Sequence, residues 1–373
     1  MANFMYFYER FKLIRMEKLF LLDAYALIYR AYYAFIKNPR INSKGFNTSA
    51  ILGFINTLED VLKKENPTHI GIAFDPKGPT FRHEAYKEYK AQREETPEVI
   101  RESVPVIKEF IKAYNIPIFE VPGYEADDVI GTLAKQAEKR GIVTYMMTPD
   151  KDYGQLVSET TFIYRPKYGD KEFEVMGTER VKEKFCISDT LQVIDLLGLM
   201  GDSSDNIPGC PGVGEKTAQK LIAEFGSIDN LLENTDKLKG ALKTKVEENR
   251  EKILFSKFLA TIKTDVPVEL DLDSLKRETP NEEVLSKLFS FYELRALKER
   301  VMKNQQALSL FDETPSTLEP VQASNKKNTK QDSLQGSLFD FFATDDTSGE
   351  KKSSHLTLKD THHTYKLIET EED

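Results

Sequence analysis

The 373-residue sequence has two cysteines, no tryptophan and five histidines. Cys186 and Cys210 show no C-x-x-C spacing and no paired histidines, so neither a disulfide framework nor a zinc site is indicated. The histidines, at 69, 83, 355, 362 and 363, are scattered, and three fall in a polar tail, which leaves no Ser/His/Asp or Cys/His arrangement for nucleophilic catalysis. No apolar run approaches the roughly 18 residues of a membrane span, and the opening MANFMYFYERFKLIR lacks the uninterrupted apolar core of a secretory signal. A cytoplasmic protein without membrane association is expected. Any catalysis has to come from carboxylates.

Charge of either sign is plentiful, at 30% of residues, and the net value is −9. Residues 303–373 hold 8 Lys/Arg against 13 Asp/Glu, which leaves 44 against 48 for residues 1–302. Nine acids of that body belong to the motifs below, and without them the remainder is basic, so a polyanionic partner is not excluded. Residues 1–15 precede Met16, where MEKLFLLDA reads like a natural start; they form an N-terminal extension to which no role is assigned.

From there, short and nearly continuous apolar runs follow: KLFLLD (18–23), THIGIAFD (68–75), IPIFEV (116–121) and VTYMMTPD (143–150). Helical patterns separate them, among them TSAILGFINTLEDVLKK (48–64) and EADDVIGTLAKQAEKR (125–140). Strands without polar alternation, interleaved with helices, predict a mostly parallel sheet covered on both faces, an α/β domain over 16–180. Three of the four runs end on an aspartate, Asp23, Asp75 and Asp150, and the fourth leads into GYEADD with Glu125, Asp127 and Asp128. Acids in a first helical turn are ordinary. Acids at the carboxyl ends of several parallel strands share the rim where α/β sheets bind ligands. Two like charges 4 Å apart repel by about 4 kcal/mol at an effective dielectric of 20, so the rim needs cations, and oxygen-only ligands favour Mg²⁺ or Mn²⁺.

Residues 181–302 read as a helical subdomain, and 303–373, rich in Ser, Thr, Lys, Gln and Asp, as a disordered linker or tail. Within the helical part, GDSSDNIPGCPGVGEKTAQKLI (201–222) has glycines, Gly212 and Gly214 among them, in a tight turn between two helices. Such a helix-hairpin-helix signature exposes backbone N–H groups at a helix start, where a phosphate is held without reading a base; the plainer reading is a packing element. FRHEAYKEYKAQR (81–93) interleaves Lys and Arg with Tyr, which suits single-stranded nucleic acid; the plainer reading is a solvated amphipathic helix.

Together with DAYALIYRAYYA (23–34), FDPKGPTFRHEAYKEYKAQR (74–93), GYEADDVIGTLA (123–134) and TPDKDYGQLV (148–157), the 201–218 motif resembles the 5′-nuclease domain of bacterial DNA polymerase I, in the flap endonuclease family. The resemblance covers residues 17–302 and implies a PIN-like 5′-nuclease fold with a helical arch over about 77–115. It implies that Asp23, Asp75, Glu125, Asp127, Asp128, Asp150, Asp152, Asp202 and Asp205 bind two or more divalent metal ions. It also implies that Lys90 and Arg93 approach the scissile phosphate, that Arg30 and Arg82 contact phosphates, and that Tyr89 stacks on a base. Gly212, Gly214, Lys216 and Thr217 are then expected at the phosphates of the downstream duplex, with K⁺ held by the carbonyls of that turn. The implied activity is metal-dependent 5′-3′ exonuclease and flap endonuclease cleavage of DNA with 5′ flaps, nicks or single-stranded 5′ ends, by a monomer. HHTYKLIETEED at the end is similar to the approach to a further domain, as in the N-terminal part of a DNA polymerase I.

The tail carries QALSLF (306–311) and QGSLF (335–339). Both are similar to the peptide that bacterial replication proteins insert into the β sliding clamp, with Gln306, Leu310, Phe311, Gln335, Leu338 and Phe339 as the contacts. The rival readings are a non-catalytic adaptor that holds branched DNA and recruits a clamp, which leaves the carboxylates unexplained, and an RNA-cleaving PIN-like nuclease, which leaves the hairpin turn unexplained.

Overall fold

A computed structural model describes residues 17–166 and 173–312, with side chains to 303. Its centre is a six-stranded sheet ordered β3-β2-β1-β4-β5-β6. The strands are β1 (Lys18–Asp23), β2 (His69–Ala73), β3 (Ile118–Phe119), β4 (Val143–Met147), β5 (Thr161–Pro166) and β6 (Phe173–Met176). All neighbouring pairs are parallel except β5 with β6. The mostly parallel sheet is the one expected, and the four apolar runs supply its first four strands. The hairpin of β5 and β6 was not anticipated.

Side chains of β1 alternate between the two faces. Leu19 and Leu21 enter one buried cluster with Val129, Ile130 and Leu133 of α5 (Ala126–Lys139), while Phe20 and Leu22 enter another. That second cluster holds α1 (Ala24–Phe35), α2 (Ser49–Lys64) and α4 (Glu98–Ala113), packed through Leu27, Phe54 and Phe110. Helices on both faces therefore follow from strands that are apolar at successive positions.

The segment expected as an arch is helical in two pieces, α3 (Phe81–Ala85) and α4, joined by turns and loops over 86–97. α4 packs Ile100, Ile107, Phe110 and Ile111 into the core, and the 86–93 turn lies against the 203–206 loop. The helical content of the arch is thus drawn into the body of the protein, because one face of 98–113 is apolar.

The first cluster continues without a break into α6 (Thr178–Phe185), α7 (Gln192–Met200), α8 (Glu215–Phe225), α9 (Ile228–Glu233), α10 (Gly240–Glu248), α11 (Arg250–Ala260) and α12 (Leu272–Leu275). The last two helices, α13 (Glu282–Phe291) and α14 (Arg295–Asp312), return to the opposite face, where Phe289 lies 5.1 Å from Phe110, ring centre to ring centre. The helical subdomain expected over 181–302 therefore divides: its final two helices cover the α/β sheet, since Leu285, Phe289, Leu297 and Val301 complete the cluster of α2 and α4. α14 also runs past the expected boundary at 303, because RALKERVMKNQQALSLFD is free of Gly and Pro and rich in helix formers. The backbone of Gln306, Leu310 and Phe311 is thus helical; their side chains, and all of Gln335, Leu338 and Phe339, lie outside the described residues. Among the described residues no helix is long and apolar enough to cross a membrane.

Candidate active site

The acids stand where the sheet delivers them. Asp23 ends β1 and caps α1, accepting from the Ala26 N–H at 3.1 Å and the Thr148 hydroxyl at 3.2 Å. Asp75 follows β2 and accepts from the Ala126 N–H at 2.7 Å; Asp150 follows β4 and accepts from the Asp152 N–H at 2.9 Å. Because β2, β1 and β4 are adjacent and parallel, these three acids share one edge. Glu125 caps α5, Asp127 and Asp128 occupy its first turn, and Asp202 and Asp205 come from the loop after α7. Asp202 pairs with Lys151 at 3.0 Å.

Mutual repulsion links the acids into one group. Burial, then the Asp75 charge, pushes the Asp23 carboxyl up to about 7, with Asp150 adding to it. Asp75 and Asp150 are raised by burial, the first with help from Glu125, the second from Asp205 and Asp202. Asp127 is held well above the usual range by burial and Asp128, and Asp152 by burial, Asp150, Asp202 and Asp205. Two members go the other way: burial raises Glu125 and Asp205, but Lys90 with Arg82, and Lys90 with Arg93, bring them below the usual range.

Folded, metal-free Asp23 binds its proton up to about pH 7, against 3.8 in a free carboxyl, so the folded state holds more protons than the unfolded one in that window. Unfolding free energy should therefore fall by roughly 2 to 4 kcal/mol as pH rises from about 4 to about 7 in EDTA. Glu125 and Asp205 act with the opposite sign, contributing stability that is lost as pH falls below their free values of 4.5 and 3.8. Urea titrations in EDTA across this range check the slope; a flat profile from pH 4 to 7 would contradict it.

Four basic or phenolic groups press on this rim. Lys90 Nζ lies 2.6 Å from Glu125 and 3.5 Å from Asp205, and Arg93 pairs with Asp205. Burial would lower the Lys90 ammonium, yet Glu125 and Asp205 more than offset it and the net shift is upward. Its backbone is held at φ 55°, a left-handed conformation that costs a non-glycine residue about 1 kcal/mol or more, while its N–H donates to the Asp205 carbonyl at 3.0 Å. Strain of this kind, stabilised by surrounding contacts, fits a residue placed for function.

Arg82 and Tyr89 correct the sequence reading. Arg82 is 1% exposed: Nη1 reaches Glu125 and Asp128 at 2.8 Å, Nη2 reaches Asp128 at 2.9 Å, and Nε and Nη2 donate to the carbonyls of Leu259 and Thr261. A guanidinium so enclosed cannot contact a phosphate. Tyr89 is 3% exposed, which leaves no open ring face for a base, and its one hydroxyl proton is shared between Glu125 at 3.0 Å and Asp205 at 3.1 Å. Asp128 changes role as well. Its Oδ1 accepts from Arg82 and the Lys263 N–H, its Oδ2 from Arg82 and the Glu125 N–H. Although one oxygen each of Glu125, Asp127 and Asp128 lie within 4.8 Å of one another, both lone pairs of each Asp128 oxygen are used, so Asp128 anchors Arg82 rather than facing an ion. Arg30, on α1, has its guanidinium 5.5 Å from the Phe173 ring centre, and the Asp60 charge acts on it.

The donor set suits a hard divalent cation. It is all oxygen, and Asp152 Oδ1 is buried with no hydrogen-bond partner among the described residues, an arrangement that is costly unless a cation completes it. Gln155 was missed by sequence reasoning: its side chain donates to the carbonyls of Asp152 and Ala260 at 3.0 Å and accepts from the Ile262 N–H at 2.9 Å. With Arg82, it ties both ends of the acid group to the 259–263 segment that leaves α11.

At the hairpin, α7 and α8 cross through Gly212, at φ 75°, and Gly214, which caps α8. Lys216 is exposed and Thr217 half-buried at the start of α8. Lys245, far along the chain, comes so close to Gly212 that a Cβ there would stand 2.5 Å from its Nζ, which puts another cation at the turn.

A rim of acids on a mostly parallel sheet, flanked by cations and joined to a helix-hairpin-helix, defines a nuclease domain. Family models agree: the N-terminal resolvase-like domain of 5′-3′ exonucleases matches residues 18–186 and their C-terminal SAM fold matches 189–283. The chain belongs to the 5′-3′ exonuclease family. Its relatives are bacterial DNA polymerases I: it is 44% identical to that of Bacillus caldotenax over 73% of this chain and 31% of the relative, and 45% identical to that of Bacillus subtilis over 76% and 32%. It spans about a third of the length of these relatives. The fold is also similar to that of T5 5′-exonuclease with divalent zinc bound (TM-score 0.54, 22% identity, 74% of this chain and 98% of that one). A second structure of similar fold is the catalytic core of Rad2 in complex with DNA substrate (TM-score 0.51, 19% identity, 74% and 87%).

Proposed function

We infer that this chain hydrolyses phosphodiester bonds at the 5′ ends and 5′ flaps of DNA, using two or more Mg²⁺ or Mn²⁺ ions at the acid rim. The observation that carries this reading is the convergence of carboxylates from separate segments on one sheet edge, with a buried, unpartnered Asp152 oxygen among them. Asp23, Asp75, Glu125, Asp127, Asp150, Asp152, Asp202 and Asp205 would hold the ions. When bound, the ions supply Lewis acidity at the scissile phosphate and acidify the attacking water.

Lys90 and Arg93, now paired with Glu125 and Asp205, offset charge that builds on the phosphate. Gly212, Gly214, Lys216, Thr217 and Lys245 hold backbone phosphates of the duplex, with K⁺ at the turn carbonyls, so selectivity follows branch structure rather than base sequence. We place the chain in the cytoplasm as the monomeric N-terminal part of a DNA polymerase I acting in replication and repair, with the motifs at 306–311 and 335–339 as β sliding clamp contacts.

A 5′-labelled flap DNA and its RNA equivalent, incubated with Mg²⁺ or with EDTA, test the reading. Cleavage of the DNA flap in Mg²⁺ alone is expected; binding without turnover under every condition would favour the adaptor, and preference for RNA the alternative nuclease. Lys90→Ala should lower the single-turnover rate by about 100-fold or more with flap affinity changed less than about threefold. An unchanged rate would remove Lys90 from the site.

A further inference from the structure

Tyr153 follows Asp152 in a 3-10 turn, and its ring lies in the buried cluster beneath α5. It is wholly buried, and among the described residues neither its hydroxyl nor Asp152 Oδ1 has a hydrogen-bond partner. The charges that act on this hydroxyl are the carboxylates of Asp23, Asp127, Asp150 and Asp75, in that order. These acids come from four segments of the chain, and the Tyr153 ring shares its buried cluster with Leu21 of β1, Ala73 and Ala126 of α5, which stand within two positions of Asp23, Asp75 and Asp127. Phenylalanine would fill the same apolar space without stranding a donor, and stranded buried donors are rare because each forfeits its bonds to water. The oxygen therefore calls for an acceptor that the metal-free arrangement does not offer.

Carboxylates that hold a metal are as a rule fixed in turn by hydrogen bonds that decide which oxygen faces the ion. Asp23 has the Ala26 N–H and the Thr148 hydroxyl for this purpose, and Asp75 has the Ala126 N–H. We propose that Tyr153 is a positioning residue of the metal site, its O–H donating to a rim carboxylate in the metal-loaded protein. The proposal rests on the metal reading above. A donor that is unpaired without the ion and paired with it is thermodynamically linked to binding: removing it weakens the loaded state and spares the empty one.

The test compares the full chain with Tyr153→Phe by calorimetric titration of Mn²⁺ without DNA and by thermal melting in EDTA. The variant is expected to bind Mn²⁺ about tenfold more weakly, while melting in EDTA at or above the wild-type temperature. Tyr153→Leu, which lacks the hydroxyl but also opens space, should show the same loss of affinity together with a lower melting temperature, separating the O–H from packing. Equal Mn²⁺ affinity in wild type and Tyr153→Phe, or a lower melting temperature of Tyr153→Phe in EDTA, would overturn the role of Tyr153 alone. Wild-type protein that takes up no Mn²⁺ would overturn the metal reading itself.

Discussion

Arg82→Met is expected to lower the free energy of unfolding by about 3 to 5 kcal/mol, the cost of removing one partner from a buried ion pair. The guanidinium is 1% exposed and makes five hydrogen bonds, two to Asp128, one to Glu125 and two to backbone carbonyls of the 259–263 segment. Without it Asp128, itself fully buried, retains only two backbone N–H donors near a second acid. Methionine keeps much of the volume, so the loss reports charge and hydrogen bonding rather than a cavity. Urea denaturation measures it. Had Arg82 been a phosphate contact, as its motif implies, the midpoint would hardly move and flap affinity would fall instead, and that pair of results would reverse the assignment. Asp128→Ala should cost a similar amount for the same reason, so lost cleavage in that variant speaks of folding before chemistry. Replacing both partners by apolar residues should recover part of the loss.

Asp152→Asn should reduce flap cleavage by about a thousandfold or more, equivalent to about 4 kcal/mol of barrier, and should make the metal-free protein more stable. The two effects share one origin. Asp152 is repelled by Asp150, Asp202 and Asp205 and is held well above the usual carboxylate range by burial and those neighbours. An amide of the same shape relieves that repulsion, by about 1 kcal/mol or more at an effective dielectric of 20, and removes the charge that a divalent ion needs. Melting in EDTA should thus rise in the variant, while the added stability from Mg²⁺ shrinks. A gain of stability with loss of activity marks a residue kept for function at the expense of the fold. Cleavage within tenfold of wild type would show that Asp152 is not a metal ligand.

The readable parts of the site were those written in local pattern. KLFLLD, THIGIAFD and VTYMMTPD each end a buried strand on an aspartate, and strand adjacency then sets Asp23, Asp75 and Asp150 side by side. The 201–218 motif likewise names its own turn, since Gly212 at φ 75° supplies a conformation that other residues adopt at a cost. FRHEAYKEYKAQR was less transparent. Its alternation of cations and aromatics describes an exposed nucleic-acid surface and a buried counter-ion cluster equally well, because both require charge beside rings. Arg82 and Tyr89 turned inward, to Glu125, Asp128 and Asp205, while Lys90 and Arg93 stayed at the border.

By itself, then, the chain's order of residues determined a parallel sheet, the convergence of acids at its carboxyl edge and a glycine-built hairpin turn, since each depends on spacing within a strand, a turn or a helix. Only the tertiary structure decided which acids are engaged by Arg82, that Gln155 and the 259–263 segment brace the group, that Lys245 joins the hairpin, and that the buried Tyr153 hydroxyl has no hydrogen-bond partner among the described residues. Those outcomes depend on contacts between residues tens to more than a hundred positions apart, where burial and the competition of each cation for several carboxylates set the result, and neither quantity is encoded in any short stretch of sequence.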